Sequence, residues 1–559
     1  MAKRSRTVRK VAQPAPARLT IRLFAPGMSV MHRAGLGGLA ATLRSIERDY
    51  QLGNLSGDSL PGAPWIGGQP PWQIEPYSLT LDFGEPECAS CYLKRLFEIA
   101  FDLRDGLIYL PGQYPDMPPP LPVRIYLQQG ILLSFLQHGQ SRTVAKKEGI
   151  YSYSPDDDPT ATLTLSYKKC SKYKHQTGWK DLVDSKTGCL REGVIKVVGP
   201  LNPGAVVRHV AFDSRTKIEE DAARVLALYF ALVGCLALPV NRGCGVLLVP
   251  EVRDLSWFAE VRPLMTPVTD RDCQITSPGD AALQIQVRLR TRQHIVVHEV
   301  PGFYVATLQP TAWAKQQKSR VRTLVVPPGD DAILGAFEIA MNSLPPHIAV
   351  TTVGKPAGRA HRNRIAAQKR CFWRKSVVRP LVADNLAQGF PWYRDLRRLM
   401  IGVDPATGRP FWNRLFFERK GLRAMADNLL RQNTGEATVV KAVHEAIRQR
   451  YGQIASENRG NPAAMKNRWA GEYDRWRLAF AGAKTAEQFR RALCDLFSRG
   501  GSNRVLKEHW PELLPMLDAS QWQLTRDLAL LALASYSGAG EKELEELRAE
   551  EPVESDADQ

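Results

Sequence analysis

Apolar residues along this chain follow two rhythms. Through the first two thirds, short runs rich in β-branched and aromatic residues and bounded by turn formers predict strands at 19–24, 77–83, 106–112, 162–167, 194–199, 206–212, 245–252, 283–290, 294–300, 303–310 and 321–328. Between them, apolar positions three or four apart predict helices over 33–48, 90–101, 123–137, 218–238 and 332–343. Beyond about residue 381 the strand signals vanish. Val440, Val443, Ile447, Tyr451 and Ile454 form one helical stripe, Trp469, Tyr473, Trp476 and Phe480 form the next, and further helices follow at 486–498 and 519–536. Aromatic residues at that spacing read as core. The expected fold class is α+β, a mixed α/β N-terminal body followed by an all-α C-terminal helical bundle.

The stretch MHRAGLGGLAATLRSI, 31–46, contains Gly35-x-Gly37-x-x-Ala40 after a strand, the spelling of a dinucleotide-binding turn. Ten residues separate Phe24 from Gly35, and a Pro- and Gly-rich loop follows where an acidic strand end is required. A packing helix accounts for more. Leu36, Leu39, Leu43 and Ile46 share an apolar face, while Gly35, Gly38 and Thr42 make a small-residue face for close backbone approach.

Charge changes the picture further. Lys and Arg number 75 against 57 Asp and Glu, a net +18, and residues 541–559 hold nine acids and two bases, leaving +25 on the rest. A body that basic suits a polyanion, nucleic acid first among them. The division expected is a basic arm (1–18), a nucleic-acid-binding body (19–354), a basic connector (355–380), the bundle (381–540) and an acidic tail (541–559). The longest uncharged run, 225–240, is short for a membrane span and reads as a buried helix, so no membrane partner is expected. Nine scattered cysteines fit a reducing cytoplasm, and the Cys88-x-x-Cys91 pair lacks the second pair of a zinc site. His444-Glu445 lacks the second histidine of a zinc-protease helix, and no phosphate loop stands in the chain. No catalytic residue, cofactor or metal is expected.

Candidate nucleic-acid contacts lie in stretches free of acids. YKKCSKYKHQTGWK sets Lys168, Lys169, Lys172 and Lys174 among Tyr167, Tyr173 and Trp179, cations beside rings that stack on bases. Lys315, Lys318, Arg320 and Arg322 lie between two predicted strands. Lys355 to Arg379 holds nine cations and no acid, with Lys355, Arg359, Arg362, Arg364, Lys369, Arg370, Arg374 and Lys375 as candidates and a helix expected over 364–375. Asn241 and Arg242 occupy a glycine-rich turn and are residue types that read groove edges.

The strand with APGMSVMHRAGLGGLAATLRSIER (25–48) resembles the N-terminal signature of the large subunit of Type I CRISPR interference (Cascade) complexes, in particular the Myxan subtype. FFERKGLRAMADNLL (416–430) and VVKAVHEAIRQRYGQIA (439–455) are similar to that family's C-terminal half. The resemblance implies a non-enzymatic subunit of an RNA-guided antiviral complex. Such a subunit contacts the 5′ handle of the CRISPR guide RNA and the flanking motif of target double-stranded DNA, and it aids duplex opening. Its partners are Cascade backbone and handle-capping subunits and a recruited helicase-nuclease or transposition adaptor. The alternatives from chemistry alone are a nuclease with a dispersed metal site and a structural RNA-binding protein.

Overall fold

The computed structural model describes residues 16–538 apart from 58–59, 63–64, 66–67, 115–116, 198–200, 202, 204–217, 242, 294–299, 312–317, 354–367, 404–407 and 433. The chain divides into two compact units, Met1–Tyr151 with Leu165–Cys273 and Pro301–Thr323, and Ser152–Thr164 with Gln274–Val300 and Leu324–Gln559. Its class is α+β, as the two rhythms predicted.

In the first unit, Arg18–Arg22 (β1), Trp72–Ile74 (β2) and Ser78–Asp82 (β3) form an antiparallel sheet in the order β1-β3-β2. Val30–Gln51 (α1) follows β1, capped by Ser29, whose hydroxyl accepts from His32 N while the His32 ring accepts from Ser29 N. Ala89–Ala100 (α2) precedes the hairpin of Asp102–Arg104 (β4) and Leu107–Tyr109 (β5), and Leu121–Leu133 (α3) comes next. Arg142–Val144 (β6) pairs with Cys170–Tyr173 (β9), while Gly149–Tyr153 (β7) and Leu163–Tyr167 (β8) are neighbouring strands. A short helix, Trp179–Leu182 (α4), and a two-residue pair, Ile195–Lys196 (β10) with Glu219–Glu220 (β11), lead to Ala222–Gly234 (α5). Leu236–Asn241 (β12), Cys244–Pro250 (β13), Phe303–Thr311 (β14) and Lys318–Val326 (β15) form a four-stranded sheet in chain order, and Leu255–Val261 (α6) follows β13.

The α1–α5 contact organises this unit. A Cβ on Gly35 would stand 1.9 Å from Ala227 O, one on Gly38 2.3 Å from Phe230 O, and one on Gly234 1.8 Å from Ala34 O. Backbones this close exclude any side chain, which is the small-residue face expected of 31–46. Leu36, Leu39, Leu43 and Ile46 are buried on the other face, and Thr42 packs against Gly112.

The helix expected over 218–238 is three elements: β11 at Glu219–Glu220, α5 ending at Gly234 and β12 beginning at Leu236. Tertiary donors end it. The side chain of Gln113 donates to Leu232 O, and the fully buried Arg262 donates to Val233 O and Cys235 O at 2.7 Å each.

The second unit holds the remaining helices and a β-hairpin of His347–Val353 (β16) and Gln368–Arg374 (β17). Leu163 of β8 joins β17 in parallel through Cys371. Pro278–Gln293 (α7) replaces the strand expected at 283–290. Leu283, Ile285, Val287 and Leu289 alternate strictly, yet Gln284 and Gln286 between them are buried too. Gln286 Nε2 is satisfied by Pro327 O at 2.9 Å, and Ser277 caps the start by accepting from Asp280 N. Because these polar side chains are buried as well, the alternation of letters does not report which face is wet. Likewise β17 replaces the helix expected over 364–375, because the β-branched run of β16 supplies a partner ladder from His347↔Arg374 to Val353↔Gln368.

Asp331–Ser343 (α8) and Arg379–Ala387 (α9) pack with α7, and the buried Arg379 and Asp280 pair at 2.7 Å. The bundle continues through Arg397–Ile401 (α10), Phe411–Phe417 (α11), Arg419–Leu430 (α12), Gly435–Glu457 (α13), Pro462–Gly482 (α14), Ala486–Gly500 (α15), Arg504–Leu513 (α16) and Trp522–Ser535 (α17). Of the expected core stripe, Trp469, Trp476 and Phe480 are buried and Tyr473 is half-buried.

Candidate nucleic-acid interface

Helix α3 is the spine of the first unit's cationic surface. Its buried Gln128 accepts from Ile108 N at 2.8 Å through Oε1 and donates to Lys168 O at 2.7 Å through Nε2. One turn on, Arg142 donates to Leu132 O at 3.0 Å. These bonds hang the β6–β9 ladder on the helix. In that ladder Thr143 faces Lys172, Val144 faces Cys170, and Ala145 N donates to Lys169 O at 2.8 Å.

The register brings two segments together. Lys146 and Lys147 leave β6 beside the point where Lys168 and Lys169 enter β9, with Lys172 opposite Thr143. All five lysines are exposed, and none makes an ion pair among the described residues. Like charges held without counter-charges raise the local potential, which a phosphate backbone relieves by releasing its own counterions. Lys146 and Lys147 escaped the sequence reading because Glu148 adjoins them and breaks the acid-free pattern. Gln128 escaped because nothing in a helical stripe marks a glutamine as the anchor of a distant loop.

Four other members of YKKCSKYKHQTGWK sit differently from expectation. Lys174 is half-buried and already ion-paired, its Nζ 2.9 Å from an Asp181 carboxylate that also accepts from Tyr229 OH at 2.6 Å. Tyr173 is a core ring, fully buried with its centroid 6.0 Å from that of His175, and so offers no face to a base. Burial pushes its phenol well above the usual range. The Tyr167 ring packs over Gly149. Trp179 is half-buried, with Lys180 Nζ 5.6 Å from its ring.

The same C-terminal half of α3 also meets the four-stranded sheet. A Cβ on Gly130 would stand 2.2 Å from Ala237 O, and Leu133 Cβ lies against Gly245. Asn241 is exposed at the β12–β13 turn, opposite Cys244, and Gly243 adopts φ +73° there. Arg242 lies outside the described residues. Gly245 pairs with Leu308, so this turn stands at the end of the sheet where β14 runs out at Thr311 and β15 begins at Lys318. Two candidates some 70 residues apart therefore share one sheet end. Lys318 and Arg320 lie on β15, Arg322 is exposed further along it, and Lys315 lies outside the described residues.

In the second unit, Lys355, Arg359, Arg362 and Arg364 also lie outside the described residues. Lys369 and Arg370 stand opposite Thr352 and Thr351 on the β16–β17 hairpin, Arg370 exposed. Arg374 holds its guanidinium 5.7 Å from the Phe372 ring. Lys375 turns inward, its Nζ donating to Ile275 O at 2.9 Å.

Among the described residues, no group of three His, Cys, Asp or Glu side chains is placed to hold a metal ion, and no helix is long and apolar enough to cross a membrane.

Residues 20–229 match the DevT N-terminal domain and residues 427–559 the DevT C-terminal domain. Both are parts of a large subunit of the Cascade class. Over 557 residues, covering 95% of this chain and 90% of the relative, the sequence is 36% identical to the CRISPR-associated protein Cas8a1/Csx13 of Myxococcus xanthus (strain DK1622). The chain belongs to this Cas8 family of Cascade large subunits, Myxan subtype, as the signature at 25–48 implied.

Proposed function

We propose that this Cascade large subunit is non-catalytic and works by holding nucleic acid. It contacts the 5′ handle of the guide RNA and the flanking motif of double-stranded target DNA, aids duplex opening, and carries a surface for a helicase-nuclease, alongside the backbone and handle-capping subunits. The observation that supports this most directly is the edge of five exposed lysines, Lys146, Lys147, Lys168, Lys169 and Lys172, without ion pairs among the described residues and hung on the helix that also seats the Asn241 turn. Lysines supply affinity without sequence preference, whereas a turn at a sheet end is narrow enough to enter a groove. In RNA-guided recognition, base pairing reads the target while protein reads the flanking motif.

Salt titration of duplex binding tests this reading. Each phosphate neutralised contributes about −0.9 to the slope of log K against log salt. Replacing the five lysines with alanine flattens the slope by about 2 to 4 and weakens all sequences alike. Asn241→Ala instead relaxes the choice of flanking motif at nearly unchanged non-specific affinity. Unchanged slope and motif choice in these variants overturn the assignment. Metal-dependent cleavage of DNA by the isolated chain favours the nuclease reading, and stable binding of folded RNA without guide-dependent DNA binding favours a structural RNA-binding role.

A further inference from the structure

The end of the β1–β3 ladder carries an aromatic pair that the lysine edge does not involve. Leu23 N donates to Tyr77 O at 2.8 Å, extending the ladder one step beyond Arg22↔Ser78. This sets the rings of Phe24 and Tyr77 6.1 Å apart, their planes inclined at 47°. Phe24 is 53% exposed and Tyr77 63%. Single exposed apolar residues are ordinary on protein surfaces, but two adjoining rings fixed to one ladder form a platform.

Cations flank it. Arg33, on the first turns of α1, holds its guanidinium 5.6 Å from the Phe24 centroid, and its buried Nε has no hydrogen-bond partner among the described residues. Arg22 is exposed at the end of β1. Neither makes an ion pair among the described residues, whereas Arg18, Arg44, Arg48 and Arg224 of the same unit each meet a carboxylate within 4 Å. Glu75, the acid in the β2–β3 connection, is engaged by Ser78 Oγ at 2.6 Å and Gln73 Nε2 at 3.2 Å. The loop between Phe24 and α1 is pinned by Ala25 N to Arg22 O, Met28 N to Ala25 O, and Arg224 to Pro26 O. The rings are therefore pre-positioned.

We propose that Phe24 and Tyr77 are a stacking platform for unpaired bases of a single-stranded nucleic acid, with Arg22 and Arg33 taking the adjoining phosphates. Flat rings alternating with unpaired guanidinium groups match a strand in which bases alternate with phosphates. An apolar protein surface laid over the same patch would strand two guanidinium groups without partners, at a cost the contact would have to repay. The site is separate from the lysine edge, and either reading can fail alone.

The test uses the full chain and short single-stranded oligonucleotides of RNA and of DNA, each carrying one 2-aminopurine, beside a blunt duplex. F24A/Y77A is expected to bind single strands at least about fivefold more weakly and to lose the quenching of 2-aminopurine that stacking causes. F24Y/Y77F, which keeps both ring faces, is expected to retain both, and R22A/R33A to lower affinity while leaving residual quenching. Duplex binding is expected to be unchanged in F24A/Y77A, because paired bases present no free face. Equal losses on RNA and DNA support recognition of the base alone; a loss confined to one supports the platform and names the strand. Single-strand binding and quenching in F24A/Y77A equal to wild type overturn the proposal, as does a loss confined to capture of a Cascade protein subunit.

Discussion

Gln128 Nε2 donates to the Lys168 carbonyl at 2.7 Å, so a buried amide on α3 holds the backbone of a lysine pair 40 residues further along the chain. Gln128→Leu keeps the volume and removes both bonds, leaving Ile108 N and Lys168 O without partners at about 1–3 kcal/mol for each buried group. The variant is expected to melt at lower temperature and to bind duplex DNA several-fold more weakly, although no cation is lost. Gln129→Leu is the control. Its Nε2 bonds Ser166 O in an exposed setting, so both measurements are expected to change little.

Glycine replacements on helices are expected to split by backbone approach. Alanine is the better helix former by about 1 kcal/mol, and Gly335→Ala on α8, with nothing within 4 Å of its new methyl, is expected to stabilise by roughly that amount. Gly35→Ala and Gly38→Ala place a methyl 1.9 and 2.3 Å from carbonyl oxygens of α5. Overpacking of this kind costs about 1–3 kcal/mol or more. Denaturant unfolding midpoints are expected to rise for Gly335→Ala and fall for the other two.

Two cations five residues apart in charge-rich sequence are expected to behave differently. Lys375 donates to Ile275 O, whereas Arg370 is exposed on β17. Lys375→Ala is expected to lower stability by about 1 kcal/mol and to leave the salt dependence of DNA binding alone. Arg370→Ala is expected to lower the salt slope with unchanged melting temperature.

Acidification is expected to destabilise the protein through three histidines. Burial holds His175 at about 3, and burial does the most to hold His32 and His444 at about 4, against an ordinary 6.5. Below pH 6.5 the unfolded chain takes up protons that the folded chain refuses, so stability is fully present above about pH 7 and is lost as pH falls toward those values. The loss is about 1.4 kcal/mol per pH unit for each group. Asp527, raised to about 6 by burial, acts in the opposite sense, since the folded chain keeps its proton between 3.8 and about 6 and gains stability there as pH falls. Among the described residues His175 has no partner on either ring nitrogen, and it sits among Phe101, Phe135, Tyr173 and Tyr229. His175→Phe is expected to remove one histidine's share of the slope, read from urea unfolding between pH 7 and 4.5.

Composition and periodicity by themselves determined that the chain is basic, α+β, and helical beyond residue 381, and that Gly35 and Gly38 serve close packing. These follow from local properties: charge is additive along a chain, and a helix with one wet face records its period in the residues. Tertiary structure decided where Leu283 to Arg290 became a helix, because Gln284 and Gln286 are buried along with their apolar neighbours and the alternation of letters does not follow exposure, and where α5 stopped, because Gln113 and Arg262 arrive from distant segments to take its last carbonyls. It also decided which cations are available. Lys174 and Lys375 read like their neighbours in sequence, yet each spends its charge on an oxygen of the protein itself, while Lys146 and Lys147 join Lys168 and Lys169 only through the register of a two-stranded ladder. A lysine's letter states its charge. What that charge faces depends on residues tens of positions away.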